Sequence, residues 1–248
     1  PGEDNFLSDT KLCLQAADSA VVVIDATGGV KIGTEKVWNF ADEQGLPRII
    51  FINKVDRERA DFFAAMDQVA QTIDPKATPV LLPIGEEEQF QGVVDLIKMK
   101  AYIYEKDGSG KFKTEEIPAD MSEAVEEWRE KIIENIVEAD DELMEKYLEG
   151  EELSAQEIED TFVRGIKEGV VHPIFCGSAS LNIGVAQLMD LIVQGLPSPA
   201  ERPPKKGLTP GSDEEIERKP SPDEPFSALV FKTLADPFSG KLSVARVF

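Results

Sequence analysis

The chain has 248 residues, of which 42% are hydrophobic, and this is enough for more than one hydrophobic core. Its formal net charge of −22 argues against a broad grip on RNA phosphates. Such acidity recruits a basic protein partner or simply keeps the chain soluble. No apolar stretch is long enough to cross a bilayer and the chain starts without a basic signal-peptide segment, so we expect a cytoplasmic protein without membrane contact.

Short helices and strands alternate in the first 75 residues, in the order helix 6–18, strand 20–24, helix 34–44, strand 48–52 and helix 60–73. The strands are runs of β-branched and aromatic residues, as in a buried parallel sheet. The helices carry apolar residues on one face, and Gly45 is a typical helix stop. Alternation in such short units predicts a parallel sheet covered by helices on both faces.

The pattern changes after residue 75. The predicted elements are strands at 79–84 and 91–104, a hairpin turn at 107–110, and helices at 122–148 (broken near Asp140) and 154–168. Residues 76–170 hold 26 acidic and 11 basic residues, so this part carries most of the excess negative charge. We interpret residues 76–169 as an α+β subdomain inserted into the sheet domain, and we call it the insert.

The alternating pattern resumes after the insert, and further segments follow it. In order they are a strand at 170–176, a helix at 184–194, a linker rich in proline and charge at 199–225, and two strands at 226–234 and 242–248 joined through 237–240. The last two strands look like the opening of a β-barrel. Residues 1–75 and 170–198 therefore form one sheet domain that the insert interrupts.

The motif Asn53-Lys54-Val55-Asp56 stands directly behind the strand 48–52. Ligands of open α/β sheets bind beyond the carboxyl ends of the strands. The two carboxylate oxygens of Asp56 match the N1–H and N2–H donors of guanine and not the edge of adenine. We expect Asn53 to bond the opposite edge of the base and to tie neighbouring loops together, and Lys54 to lay its methylene stem across the ring. A solvated turn with a helix-capping Asp would look the same.

A second loop of small residues, Gly177-Ser178-Ala179-Ser180, follows the strand 170–176. Small residues let the backbone approach a flat ligand, and a main-chain N–H of Ser178 or Ala179 is expected to donate to the guanine O6. Alone this sequence is a common turn. In the right order after Asn-Lys-x-Asp, it predicts the second half of a guanine pocket.

Cysteine and histidine are scarce. Cys13 and Cys176 lie in apolar stretches without metal-ligand spacing, and we expect both to be buried free thiols in a reducing compartment. His172 is the only histidine, which argues against a histidine-based triad or zinc cluster. No metal ligand is predicted.

Several short motifs follow one another along the chain, at 16–20, 25–29, 53–56, 176–179, 196–199 and 231–237. Their order resembles that of the elongation factor G-type translational GTPases over essentially the whole chain. The resemblance implies a P-loop-GTPase-type G domain without its N-terminal part (1–75 and 170–198), a G′ insert (76–169), a linker (199–225) and the start of β-barrel domain II (226–248). We expect the missing part to precede this segment.

The resemblance also implies a function. Proteins of this type bind GTP or GDP with Mg²⁺ and hydrolyse GTP on the ribosome to drive translocation. The residues that match the family's guanine contacts are Asn53, Lys54, Asp56, Ser178 and Ala179. Gly2 matches the glycine of switch II, whose N–H would meet the γ-phosphate.

This sequence departs from the family pattern in two ways. The phosphate loop Gly-x-x-x-x-Gly-Lys-[Ser/Thr] and switch I are absent from it, so we expect the segment alone to be inactive and to hold no nucleotide tightly. Glu3 stands where the family has a histidine that helps to orient the attacking water. A carboxylate there adds negative charge beside phosphate, which favours a paralogue of the housekeeping factor.

The partner implied by the resemblance is the ribosome. The acidic helix region at 115–152 would contact the basic stalk protein of the large subunit, although a solvated helix face explains such acids equally well. Two other functions stay open. One is a ribosome-recycling or ribosomal-protection relative, and the other is a non-hydrolysing protein whose insert is an acidic docking module.

Overall fold

The computed structural model describes residues 2–238 and 240–248. Pro1, at the start of the predicted G domain, and Ser239, in the predicted turn at 237–240, lie outside the described residues. The helices found there are α1 (Leu7–Leu14), α2 (Ile32–Glu43), α3 (Phe62–Thr72), α4 (Ser122–Val137), α5 (Asp141–Leu148), α6 (Ala155–Glu168) and α7 (Val185–Gly195). None of the helices in these ranges is both long and apolar enough to cross a membrane.

The strands form a mainly parallel sheet and separate antiparallel ones. They are β1 (Ala20–Asp25), β2 (Arg48–Asn53), β3 (Thr78–Pro79), β4 (Leu81–Ile84), β5 (Gly92–Asp95), β6 (Lys100–Tyr104), β7 (Phe112–Glu115), β8 (Pro173–Gly177), β9 (Lys205–Leu208), β10 (Glu215–Arg218), β11 (Ala228–Asp236) and β12 (Gly240–Val247). The main sheet has the order β1-β2-β8-β3, and every pair in it is parallel. This confirms the predicted α/β fold with a parallel sheet.

The core of the main sheet lies around its central strand β2. Ile49, Ile50 and Ile52 of β2 are completely buried, which explains why this strand is a continuous apolar run instead of an alternating one. Helix α2 packs against β1, and α3 packs against β2. Trp38 of α2 and Met66 of α3 belong to the same buried cluster.

The insert combines the antiparallel sheet β4-β5-β6-β7 with helices α4, α5 and α6. The predicted break near Asp140 is present, because the Asp140 side chain accepts a hydrogen bond of 2.9 Å from the N–H of Leu143 and starts α5. Ser154 caps α6 in the same way and forms a capping box with Glu157. The predicted hairpin turn at 107–110 joins β6 to β7.

Two strands of the insert differ from the prediction. The single strand predicted at 91–104 is wrong, because β5 and β6 are separate antiparallel strands joined by a turn. The Asp95 carboxylate closes that turn by accepting hydrogen bonds of 2.9 Å from the N–H groups of Ile97 and Lys98. The strand predicted at 79–84 is also divided. Its first part, β3, pairs with β8 in the main sheet, so the predicted insert overlaps that sheet, whereas β4 pairs with β5.

The segment predicted to be a plain linker, 199–225, contains a small hairpin. Strands β9 and β10 pair in antiparallel fashion, and every residue of β9 is exposed. Proline and charge therefore mark this segment as lacking a core, but they do not prevent local strand pairing.

The last two strands, β11 and β12, form a hairpin that contacts α1 and the loop after it. Lys232 lies 2.8 Å from Asp9 of α1, and Arg246 lies 2.6 Å from Asp18. Both pairs join this hairpin to the main sheet domain through side chains that are partly buried.

The two cysteines have different surroundings. Cys176 is buried in β8, and burial raises the pKa of its thiol. Cys13 is exposed, so the expectation of two buried thiols is wrong for this residue. The reason is that α1 lies at the surface and buries only Thr10, although Cys13 has apolar neighbours in the sequence. Both cysteines are free.

Candidate nucleotide site

The register of the main sheet brings three strand ends to one edge. Asp25 at the end of β1 lies opposite Asn53 at the end of β2, and Asn53 lies opposite Gly177 at the end of β8. Residues 54–57 and 178–183, which we call the base loops, leave the sheet side by side. The N–H of Val55 donates to the Gly177 carbonyl over 3.3 Å and links the two base loops directly.

Asn53 connects the base loops through its side chain. Its Oδ1 accepts a hydrogen bond of 2.9 Å from the main-chain N–H of Ala179. Because Asn53 is the last residue of β2 and is half-buried, this bond holds the second loop at a fixed height above the sheet. The side chain of Asn53 therefore acts within the protein before any ligand is considered.

The second base loop is a tight turn in which Ser178 is completely buried. The N–H of Ser178 donates to Ile183 over 3.0 Å, and its Oγ accepts from the N–H of Leu181 over 3.3 Å. A Cβ on Gly177 would collide with the Ile183 carbonyl oxygen, so the backbone comes too close for any larger residue. Small residues here are required by the turn itself.

These contacts bear on the predicted donor to guanine O6. The N–H of Ser178 is bound to Ile183, and the N–H of Ala179 is bound to Asn53. Donation from Ala179 to a base requires that Asn53 share or release this N–H. The predicted guanine contact at Ser178 and Ala179 thus stays a prediction.

The N–H groups of Ser178 and Ala179 already have acceptors, whereas one carboxylate oxygen of Asp56 lacks a donor among the described residues. The side chain is only 11% exposed, and its Oδ2 lies 3.7 Å from Nε of Arg57. Its Oδ1 is buried and has no hydrogen-bond partner among residues 2–238 and 240–248. A buried acceptor without a donor is unfavourable, and the paired N–H groups of guanine are donors of the kind it lacks. The predicted guanine contact of Asp56 stays a prediction.

Lys54 forms an ion pair that the sequence did not predict. Its backbone has the left-handed φ of 67°, and its Nζ lies 2.5 Å from Oδ2 of Asp25. Burial alone would raise the pKa of Asp25, but hydrogen bonds from Lys54 and Thr27 outweigh it and lower the pKa to about 2. Asp25 is thus a charged member of this site. The signal that could have revealed it is its place at the end of the strand beside β2.

Gly2 and Glu3 lie apart from the base loops. A Cβ on Gly33 would collide with the carbonyl oxygen of Gly2, so Gly2 is in close contact with the first turn of α2. The carbonyl of Glu3 accepts a hydrogen bond of 2.9 Å from the N–H of Phe6. Among the described residues, neither one has a hydrogen bond or ion pair with a base loop. Their predicted places beside the γ-phosphate stay predictions.

The insert also contacts the second base loop. The hydroxyl of Tyr104 donates to the Gln187 side chain in α7, and a Cβ on Gly110 would collide with the Asn182 side chain. Sequence reasoning missed this contact, because more than 70 residues separate Gly110 from Asn182 along the chain. Over the described ranges, no group of three or more His, Cys, Asp or Glu side chains could hold a metal ion.

Comparison with known proteins shows the family of this chain. The family model described as "Elongation factor Tu GTP binding domain" matches residues 1–198. The chain belongs to this family. Its matched part includes both base loops and the insert, and ends before the hairpins β9–β10 and β11–β12.

A solved structure is similar to this member of the elongation factor Tu GTP-binding family along its whole length. The crystal structure of ttk003000868 from Thermus thermophilus has a TM-score of 0.79 and 34% identity, and the match covers 100% of our chain and 34% of that chain. Our chain thus spans about a third of the protein it matches. The family is one of GTPases and implies a guanine nucleotide with Mg²⁺.

Proposed function

We propose that this chain is the guanine-nucleotide-binding part of a ribosome-associated translational GTPase of the elongation factor G type. In the parent protein, GTP hydrolysis would be coupled to translocation. The observation that carries the proposal is the buried carboxylate oxygen of Asp56, which has no partner in the described part of the chain. It lies at the sheet edge where Asn53 ties two loops together. Family membership over residues 1–198 supports the same reading.

Each site residue has a separate task in this proposal. Asp56 selects guanine by accepting two N–H donors, Asn53 holds the base loops together, and Lys54 covers one face of the ring with its methylene stem. The nucleotide supplies the phosphoanhydride bond that is cleaved. Gly2 would offer its N–H to the terminal phosphate, and Glu3 would stand beside it.

The test of base recognition uses Asp56→Asn in the full-length protein. We expect GDP affinity to fall at least tenfold, which is about 1.4 kcal/mol or more. Affinity for XDP should rise, because the amide donates to the carbonyl oxygen that xanthine carries in place of the amino group of guanine. Titration calorimetry with GDP and XDP measures both. Asp67→Asn, on the exposed side of α3, is the matched control, and unchanged GDP/XDP selectivity in Asp56→Asn would count against the proposal.

Glu3 favours a second candidate, a non-hydrolysing protein whose insert is a docking module. A carboxylate beside phosphate adds repulsion in the place where the attacking water must be oriented. GTP turnover on ribosomes by the full-length protein decides between the two candidates. Turnover that is absent in the wild type and appears with Glu3→His would support the second one.

We also propose that the acidic face of α4 and α5 binds the basic stalk protein of the large ribosomal subunit. The exposed acids on these helices and at the residues directly after them are Glu123, Glu126, Glu127, Glu130, Glu134, Glu138, Asp141, Glu142, Glu145 and Glu149. Charge pairing over an exposed surface is screened by salt, so binding should weaken steeply as ionic strength rises. Glu126→Lys with Glu130→Lys should reduce binding to purified stalk protein. Glu214→Lys with Glu215→Lys, in exposed residues near and in β10, is the control pair.

A further inference from the structure

The two carboxylate oxygens of Asp25 bind different partners in the ion pair with Lys54. Oδ1 of Asp25 accepts hydrogen bonds from the N–H and the hydroxyl of Thr27, over 2.9 Å and 2.7 Å. Oδ2 accepts from Nζ of Lys54 over 2.5 Å. One oxygen thus fixes the direction of the carboxylate, and the other holds the ammonium group. Lys54 is therefore bound to a carboxylate that Thr27 holds in place.

The backbone favours the same arrangement. Asp25 and Asn53 are opposite each other in the parallel register of β1 and β2, so Lys54 starts one residue beyond the aligned strand ends. Lys54 has a backbone φ of 67°, a conformation that residues other than glycine rarely adopt. The surrounding contacts must stabilise it. The carbonyl of Asp25 also accepts from the N–H of Gly29 over 2.8 Å, which closes the loop around the pair.

The solvent exposure of the Asp25–Lys54 ion pair indicates that it matters more for ligand binding than for folding stability. The Lys54 side chain is 50% exposed and the Asp25 side chain is 27% exposed, and ion pairs this open to water contribute little to folding stability. A lysine side chain loses considerable rotamer freedom when it is fixed. If that freedom is already lost in the free protein, a ligand that uses the lysine stem binds more tightly.

We propose that Asp25 is a positioning residue for base recognition, which acts by holding the Lys54 side chain ready to cover one face of a guanine ring. This inference rests on the proposed guanine-nucleotide function and adds the last residue of β1 to that site. Asp25 touches no part of the base itself. Its influence on the ligand passes through Lys54.

The experiment is a double-mutant cycle in the full-length protein, with GDP as the probe in titration calorimetry. The variants are Asp25→Asn, Lys54→Gln and the two combined, and Asp25→Asn keeps an oxygen for the Thr27 N–H while it removes the charge. We expect each single variant to weaken GDP binding about 3- to 10-fold and the double variant to weaken it no more than Lys54→Gln alone. Melting temperatures of all three should stay close to that of the wild type.

If Asp25 had only a structural role, the double-mutant cycle would give a different result. Asp25 would then act through the Thr27 loop, and the losses in GDP affinity would multiply in the double variant. Multiplying losses, or a GDP affinity that Asp25→Asn leaves unchanged, would overturn the inference. Thr27→Val is the matched control, because it removes one donor to Oδ1 and leaves the lysine contact on Oδ2; its GDP affinity should change less than about twofold, as expected for a change that spares the lysine.

Failure of this inference and failure of the proposed function give distinct outcomes. A wild-type protein that binds no GDP, or an Asp56→Asn variant with unchanged selectivity, overturns the guanine function and this inference with it. A wild type that binds GDP and responds to Asp56→Asn, combined with multiplying losses in the Asp25 cycle, overturns only the role of Asp25.

Discussion

The two ends of the main sheet treat charged side chains in contrasting ways. At the amino end, Arg48 opens β2 with a buried guanidinium that donates to the Trp38 carbonyl over 3.0 Å and to Asp42 over 2.6 Å. The same guanidinium stacks on the Trp38 ring at 4.1 Å. Beside it, Nδ1 of His172 lies 2.6 Å from Oδ2 of Asp74. These contacts join α2 and β2 to His172, which directly precedes β8, and to the segment after α3.

At the carboxyl end, the same strands lead into the base loops, and the partners are incomplete. Asp56 keeps one buried carboxylate oxygen that no described residue bonds, and Lys54 is half exposed although it contacts Asp25. A polar group that the protein satisfies internally contributes to folding, whereas one that the protein leaves unsatisfied favours a ligand. We interpret this contrast as a separation between charges that stabilise the fold and charges that are proposed to bind a ligand. At the amino end, only Nε of Arg48 is buried without a partner among the described residues.

The strongest test of this contrast is Arg48→Ala. It removes a buried side chain together with its hydrogen bonds to the Trp38 carbonyl and the Asp42 carboxylate, so we expect the free energy of unfolding to fall by about 2–4 kcal/mol. Urea denaturation followed by circular dichroism measures it. Arg59→Ala, whose side chain is 87% exposed, is the control and should change stability by less than about 0.5 kcal/mol. Equal effects of the two variants would show that the amino-end cluster is not structural.

A smaller effect is expected for Asp74→Asn, and it should depend on pH. Burial on its own would raise the pKa of Asp74, but hydrogen bonds from His172 and the Lys76 N–H outweigh it, and the pKa is lowered. A carboxyl with a lowered pKa stabilises the fold above its ordinary range, and this stability is lost as the pH falls through its folded pKa. We expect a loss of about 1–2 kcal/mol at pH 7, as for a hydrogen bond to a charged group.

The pH series supplies the decisive comparison for Asp74. The gap in unfolding free energy between wild type and Asp74→Asn should shrink as the pH falls below about 4, the ordinary range of an Asp carboxyl. Asp67→Asn serves again as the exposed control and should follow the wild type at every pH. A gap that stays constant down to about pH 2 would contradict the role given to the ionised carboxylate.

The smallest effect on stability is expected for Asp56→Asn. Because no described residue bonds one oxygen of this carboxylate, the free energy of unfolding should change by less than about 0.5 kcal/mol or rise slightly. The same variant should have the large effect on GDP affinity described above. A marked loss of stability, with base selectivity unchanged, would move Asp56 into the same structural class as Arg48.

Local patterns predicted most of the architecture. The apolar run of β2 marks a strand buried on both faces wherever it lies in the chain, and the Asp140 cap breaks the acidic helix through contacts within one turn. The prediction for 91–104 failed for a local reason as well. Apolar residues continue through the turn between β5 and β6, and only the side chain of Asp95 marks the reversal.

The candidate site also has features that follow from local sequence and features that depend on tertiary contacts. The sequence by itself determined that Asn53, Lys54 and Asp56 follow a buried strand, because motif and strand are contiguous. Only the tertiary structure decided that Asp25 holds Lys54 and that Ala179 bonds to Asn53. These contacts depend on the register of parallel strands, which joins residues far apart in the chain. A sequence pattern indicates that a strand exists, and its neighbours in the sheet are set by packing of the whole domain.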